Sequence, residues 1–183
     1  MGNKYFKDLK YTKNSEKIAY KGKRVTVEEL EYFTGEQTLY REHVNAGEAV
    51  VILPITKENK VILVQEPRTP IEKIILDLPA GMIEPGEEPK DAAIRELEEE
   101  TGYLATEIQF LRSYYPAIGY SNEKLYIYLA TDFIKTEQHL DEGEEIEVVE
   151  LPLEEVIEML DKNELITATS TIALMHYLRY IKK

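Results

Sequence analysis

Gly81-Met82-Ile83-Glu84-Pro85-Gly86-Glu87-Glu88-Pro89-Lys90-Asp91-Ala92-Ala93-Ile94-Arg95-Glu96-Leu97-Glu98-Glu99-Glu100-Thr101-Gly102-Tyr103 is the stretch on which the reading of this chain turns. Pro85 and Gly86 punctuate a loop. Pro89 suits the first position of a helix, Asp91 complements the helix dipole there, and Gly102 supplies a left-handed stop after Thr101. Ala93 and Leu97, with Ile94 beside them, mark the face that packs on a core. Glu96, Glu99 and Glu100 share another face, at helical spacings of three and four. Carboxylates so placed repel by roughly a few tenths of a kcal/mol per pair, and a divalent cation turns that repulsion into attraction. Hard Mg2+ takes carboxylate, carbonyl and water oxygens in octahedral array, with phosphate oxygens completing the shell. By itself, such a face in a glutamate-rich chain reads better as a solvated helix surface.

Working outward, residues 74–78 form a strand that Pro79-Ala80-Gly81 breaks. Residues 49–54 and 61–65 are short Val- and Ile-rich runs separated by Lys57-Glu58-Asn59-Lys60, which predicts a strand-turn-strand and a buried sheet. Residues 18–44, with Gly22 and Gly35 between β-prone runs, predict hairpins or a small meander. Residues 108–114 and 125–130 read as strands, and residues 153–160 and 168–181 carry apolar positions at helical spacing. The expected fold class is α+β: a mixed sheet between helices (an α/β/α sandwich), residues 45–183, with an antiparallel β appendage at residues 1–44.

The 183 residues suffice for a buried core, and the net charge of −13 argues against a nucleic-acid surface, which needs clustered Lys and Arg. Without cysteine there is no disulfide framework, thiolate zinc site or cysteine nucleophile. His43, His139 and His176 are too scattered for a zinc site. Met1-Gly2-Asn3-Lys4-Tyr5-Phe6 lacks an apolar signal core and has Phe6 where a myristoylation signal wants Ser or Thr. No segment approaches membrane-spanning length, so a cytoplasmic protein is expected.

Gly81, Glu87, Arg95, Glu96, Glu99, Glu100 and Gly102 together resemble the box of the Nudix hydrolases: Gly, five residues, Glu, seven residues, Arg-Glu-apolar-any-Glu-Glu-any-Gly-apolar. Tyr103 is the only mild departure, at the last apolar position. The resemblance implies Mg2+, with Mn2+ as the alternative ion, held by Glu96, Glu99, Glu100 and the carbonyl of Ala80. Gly81 would let the backbone turn toward the metal. Arg95 would steady Glu87 and an adjacent carboxylate behind the ligands, an ordinary helix salt bridge being its plainer role.

The chain also resembles the ADP-ribose pyrophosphatase branch from Tyr20-Lys21-Gly22 to the closing helices. That branch implies hydrolysis of ADP-ribose to AMP and ribose 5-phosphate, a small nucleoside diphosphate sugar as partner, and a homodimer sharing N-terminal strands. It places a general base on a late acidic loop. Here Asp141-Glu142-Gly143-Glu144-Glu145 offers Glu142 first and Glu144 second, beside the plainer reading of a solvated acidic turn. Arg41 and Arg68 resemble its nucleotide and phosphate contacts, Glu66 a contact to adenine or ribose, and Gly119 and Glu123 its substrate loop. Surface ion pairing is the bland alternative for either arginine. Ile118 stands where that branch carries proline, which keeps GDP-mannose or UDP-glucose hydrolysis open. A silent nucleotide-binding module is a third reading, opposed by the intact glutamates.

Overall fold

The computed structural model describes residues 7–182; the opening hexapeptide lies outside them. Two compact units emerge. One runs up to Gly47 and includes Ala117–Glu123, and the other comprises Glu48–Pro116 and the chain from Lys124 onward.

In the first unit, β1 (Thr12–Lys21), β2 (Thr26–Phe33) and β3 (Thr38–Asn45) form an antiparallel meander in the order β1-β2-β3. Its side chains are mostly exposed, and Leu30 is the one buried hydrophobic that it contributes among the described residues. The turn around Gly119 is laced to β3. Val44 N–H donates to the Tyr120 carbonyl at 2.8 Å, Asn122 N–H to the Val44 carbonyl at 3.2 Å, and Ala46 N–H to Asn122 Oδ1 at 3.2 Å. An element distant in sequence thus becomes part of the N-terminal unit.

The second unit is built around β4 (Glu48–Pro54), whose run of Val and Ile is buried on both sides because successive side chains point to opposite faces. Val50 and Ile52 pack with Ala92, Ala93 and Leu97 of α1 (Pro89–Thr101). Val51 and Leu53 face the other way, into a cluster with Val61, Leu63, Leu153, Val156, Ala173 and Leu174. That second cluster draws on β5 (Lys60–Arg68), α2 (Leu153–Asp161) and α3 (Ala168–Tyr180). Helices therefore lie on both sides of the central strands, and the fold is α+β.

The four-stranded mixed sheet has the order β7-β4-β9-β8, with β7 (Ala80–Met82), β8 (Tyr103–Tyr114) and β9 (Lys124–Lys135). β4 and β9 run parallel, and the other neighbours run antiparallel. A second, antiparallel sheet has the order β10-β5-β6, with β6 (Lys73–Asp77) and β10 (Glu147–Pro152).

The strand-turn-strand expected across residues 57–60 differs in one respect. Its turn closes, with Thr56 N–H on the Lys60 carbonyl at 2.8 Å and Asn59 left-handed at φ 59°. Pairing of the two strands, however, stops at a single bridge between Ile55 and Val61. Both strands are apolar on both faces, so each becomes an inner strand of its own sheet rather than one arm of a hairpin. Pro79-Ala80-Gly81 does not break into loop either, since residues 80–82 resume as β7 against β4. Among the described residues no helix is long and apolar enough to cross a membrane.

Candidate active site

Helix α1 begins at Pro89 and ends on Gly102, left-handed at φ 69°. Its buried face of Ala92, Ala93 and Leu97 fixes its rotation, and that rotation sets where the glutamates stand. Glu100 is turned inward and only 5% exposed. Its Oε2 accepts the Ala80 N–H at 3.0 Å, tying the helix to β7. Burial pushes the Glu100 carboxyl up to about 9; the Ala80 N–H opposes the rise, and the charges of Glu96, Glu66 and Glu144 add to it. Burial raises the Glu96 carboxyl as well, against the pull of Arg95 and with help from Glu99 and Glu144.

Arg95 lies among these acids. Nε and Nη2 donate to the two oxygens of Glu87 at 2.9 and 3.0 Å, and Nη1 reaches Glu96 Oε1 and Glu99 Oε2, both at 2.8 Å. Nη2 also donates to the Met82 carbonyl at 3.1 Å. The fork lowers the Glu87 carboxyl from its ordinary value, and Glu87 in turn accepts the Glu84 N–H at 3.0 Å.

Gly81 is glycine for a reason the sequence alone does not show. It lacks the left-handed backbone seen at Gly86 or Gly102, so no turn demands it. A Cβ there would fall 2.0 Å from Cδ of Glu96. The glutamate carboxylate occupies the space that a side chain would fill.

The acids offer hard oxygen donors and carry mutual repulsion, which suits a divalent cation. Among the described residues no three His, Asp or Glu side chains stand preassembled around one point for a metal. Glu96 and Glu99 instead share Arg95, and Glu100 takes the Ala80 N–H. Chemically the set fits: Arg95 engages one oxygen each of Glu96 and Glu99, and a carboxylate has a second oxygen to offer a metal.

The acidic loop of residues 141–145 forms a tight turn, with Gly143 at φ 92° and the Asp141 N–H donating to Glu144 Oε2 at 3.1 Å. Glu142 and Glu144 are both exposed in the turn. At the end of β5, Arg68 pairs with Glu66 and lies 3.6 Å from Asp77 Oδ2. Arg41, Gly119 and Glu123 belong to the N-terminal unit, where Arg41 Nη1 donates to the Tyr40 carbonyl at 2.7 Å.

Two residues escaped sequence reasoning. Asp77, 4% exposed, accepts from Thr167 Oγ1 at 2.7 Å, from Ser170 Oγ and from Leu78 N–H at 2.9 Å, pinning the start of α3 to β6. A lone acid closing the apolar run Ile74-Ile75-Leu76 was the available signal, because buried carboxylates need partners. Gln138 donates to the Glu100 carbonyl at 2.7 Å and to the Ile146 carbonyl at 3.3 Å. Nothing in its polar neighbourhood distinguished it.

With this geometry in place, the relatives are informative. The NUDIX domain family profile matches residues 46–171, and the chain belongs to the Nudix hydrolase family. An ADP-ribose pyrophosphatase of Bacillus subtilis is 36% identical over 152 residues, 82% of this chain and 82% of that protein. A methanol dehydrogenase activator of Bacillus methanolicus is 36% identical over 155 residues, covering 84% and 83%. Among solved structures, a crystal structure of ADP compounds hydrolase matches at a TM-score of 0.84 and 29% identity, covering 95% of each chain.

Proposed function

We propose that the protein hydrolyses ADP-ribose to AMP and ribose 5-phosphate with Mg2+, Mn2+ being able to replace it. The observation that carries this reading is the α1 face, where Glu96 and Glu99 share Arg95 with Glu87, Glu100 turns in to the Ala80 N–H, and Gly81 makes room for Glu96. Likeness to the Bacillus subtilis ADP-ribose pyrophosphatase supports the choice of substrate.

In this reading Glu96, Glu99, Glu100 and the Ala80 carbonyl hold the cation. When bound, it neutralises the diphosphate and makes a coordinated water more acidic. A loop carboxylate takes a proton from the attacking water as its oxygen bonds to one phosphorus, and the bridging oxygen leaves with the other phosphate. Glu142 and Glu144 are the two candidates for that base, and Glu144 is the one whose side chain the turn holds, its Oε2 accepting the Asp141 N–H at 3.1 Å. Arg95 keeps Glu87 and the ligands in register. Arg68 and Glu66 are assigned to substrate in the unit that carries the box; Arg41, Gly119 and Glu123, of the N-terminal unit, stay substrate candidates on the resemblance alone. Residues 1–44 are assigned to a homodimer contact, and the protein to the cytoplasm.

Incubating the purified chain with Mg2+ and ADP-ribose, GDP-mannose or UDP-glucose, with chromatography of the products, tests the substrate. AMP and ribose 5-phosphate from ADP-ribose, in clear preference to the other two, is the expected result. Preference for a guanine or uracil sugar would overturn the choice and give meaning to Ile118, which is 74% exposed on its turn. No hydrolysis of any of the three would favour a silent binding module.

A further inference from the structure

The last carbonyls of an α-helix have no partner within it. In α1 those of Glu99 and Glu100, with that of the capping Gly102, are taken by a strap of chain, residues 136–139. Thr136 N–H donates to the Gly102 carbonyl and His139 N–H to the Glu99 carbonyl, both at 2.8 Å. Between them, Gln138 Nε2 reaches the Glu100 carbonyl at 2.7 Å and, on the far side of the acidic turn, the Ile146 carbonyl at 3.3 Å. One amide nitrogen, with two N–H donors, therefore spans the neck of the loop. Gly102 is shaped to receive the strap: a Cβ there would lie 3.2 Å from Gln138 N and from the Thr136 carbonyl oxygen, both rigid backbone.

The turn beyond the neck is closed on itself through Asp141 and Glu144. Its placement is thus set at its two ends.

We propose that Gln138 is a positioning residue, whose amide ties the end of the glutamate helix to Ile146 and so fixes where Glu144 stands relative to Glu96 and Glu100. This rests on the reading of residues 141–145 as the base-bearing loop. Asn lacks the reach by one carbon, Leu has no donor, and ionised Glu is an acceptor only, so none of the three satisfies both carbonyls as glutamine does.

The test uses the full chain carrying Q138L, E144Q or both, and Q138N as a milder variant should Q138L fail to fold. Displacement of a reacting group by about 1 Å costs on the order of 100-fold. Q138L is expected to lower kcat for ADP-ribose by about 10- to 100-fold with KM within about twofold. E144Q with Q138L should be no slower than E144Q alone, since a residue acting through Glu144 has nothing left to position. A kcat near that of the wild type, or costs that multiply in the double variant, would overturn the proposal. Amide exchange at residues 139–146, read by mass spectrometry, gives a second measure independent of turnover, with faster exchange expected in Q138L or Q138N. Should the wild type hydrolyse no nucleoside diphosphate sugar, the base-loop reading fails on its own. The tie is then judged by exchange, and equal protection in wild type and variants overturns it.

Discussion

Arg95 grips Glu87 with two parallel hydrogen bonds, Nε to Oε1 at 2.9 Å and Nη2 to Oε2 at 3.0 Å, while its third nitrogen divides between Glu96 and Glu99. A lysine ammonium is a single point of charge and cannot serve all three acids. R95K should leave the circular-dichroism spectrum unchanged and lower kcat/KM, or raise the Mg2+ concentration for half-maximal rate, by about 10- to 100-fold. Kinetics indistinguishable from wild type would remove Arg95 from the supporting shell.

Gly81 and Gly119 make a matched pair of substitutions. G81A drives a Cβ to within 2.0 Å of the Glu96 carboxyl carbon, and that side chain must leave its place. Hydrolysis should fall by roughly 100-fold or more if Glu96 holds the cation as proposed, because displacement of an active-site group by about 1 Å is already costly. G119A meets nothing within 4 Å and needs no left-handed backbone, so its melting temperature should match the wild type. Any rise in KM for ADP-ribose in G119A then reports substrate contact, and an unchanged KM removes Gly119 from the substrate set.

The raised carboxyl of Glu100 makes stability depend on pH. Unfolded, it ionises near the model-compound value of 4.5; folded, it keeps its proton to about 9. Between those values the folded state binds the extra proton, so this group stabilises at low pH and that contribution is lost as pH rises through the window. In chelator the melting temperature should therefore drop between about pH 5 and about pH 9, and E100Q should flatten the drop. Adding Mg2+ near pH 8 should raise the wild-type melting temperature by mass action but not that of E100Q. A Mg2+ response that survives E100Q would exclude Glu100 as a ligand.

Asp77 is the structural counterpart. D77A takes the shared acceptor from the Thr167 and Ser170 hydroxyls, while the Leu78 N–H keeps Ser170 Oγ at 3.3 Å. A loss of about 1–3 kcal/mol in urea unfolding is expected, the desolvation penalty of buried groups left without partners. A change below about 0.5 kcal/mol would mean that the network relaxes around the gap.

How much could be read in advance differs from element to element. Pro89 and Gly102 bound α1 because both act through their own backbone: one lacks an N–H, and the other tolerates φ 69°. The apolar face of Ala93 and Leu97 was legible from helical period, and both are fully buried. The strand run at residues 49–54 was legible as β, but its partner was not. Local hydrophobicity says a strand is buried without saying which other buried strand lies beside it, and β4 pairs with β7 and β9 rather than with its neighbour in sequence.

The sequence by itself determined that Glu96, Glu99 and Glu100 occur on one helix with Arg95, in the spacing of a Nudix box, because a helix's period and its start and stop signals are local properties of the chain. Tertiary structure alone decided what each of those residues touches: that Glu96 fills the space over Gly81, that Glu100 turns inward to the Ala80 N–H, and that Arg95 reaches back to Glu87. It also decided that Gln138, in a stretch with no periodicity, lands on the carbonyl of Glu100. Contacts of that kind join segments whose separation along the chain carries no pattern, and only the packing of α1 against the sheet brings them within reach.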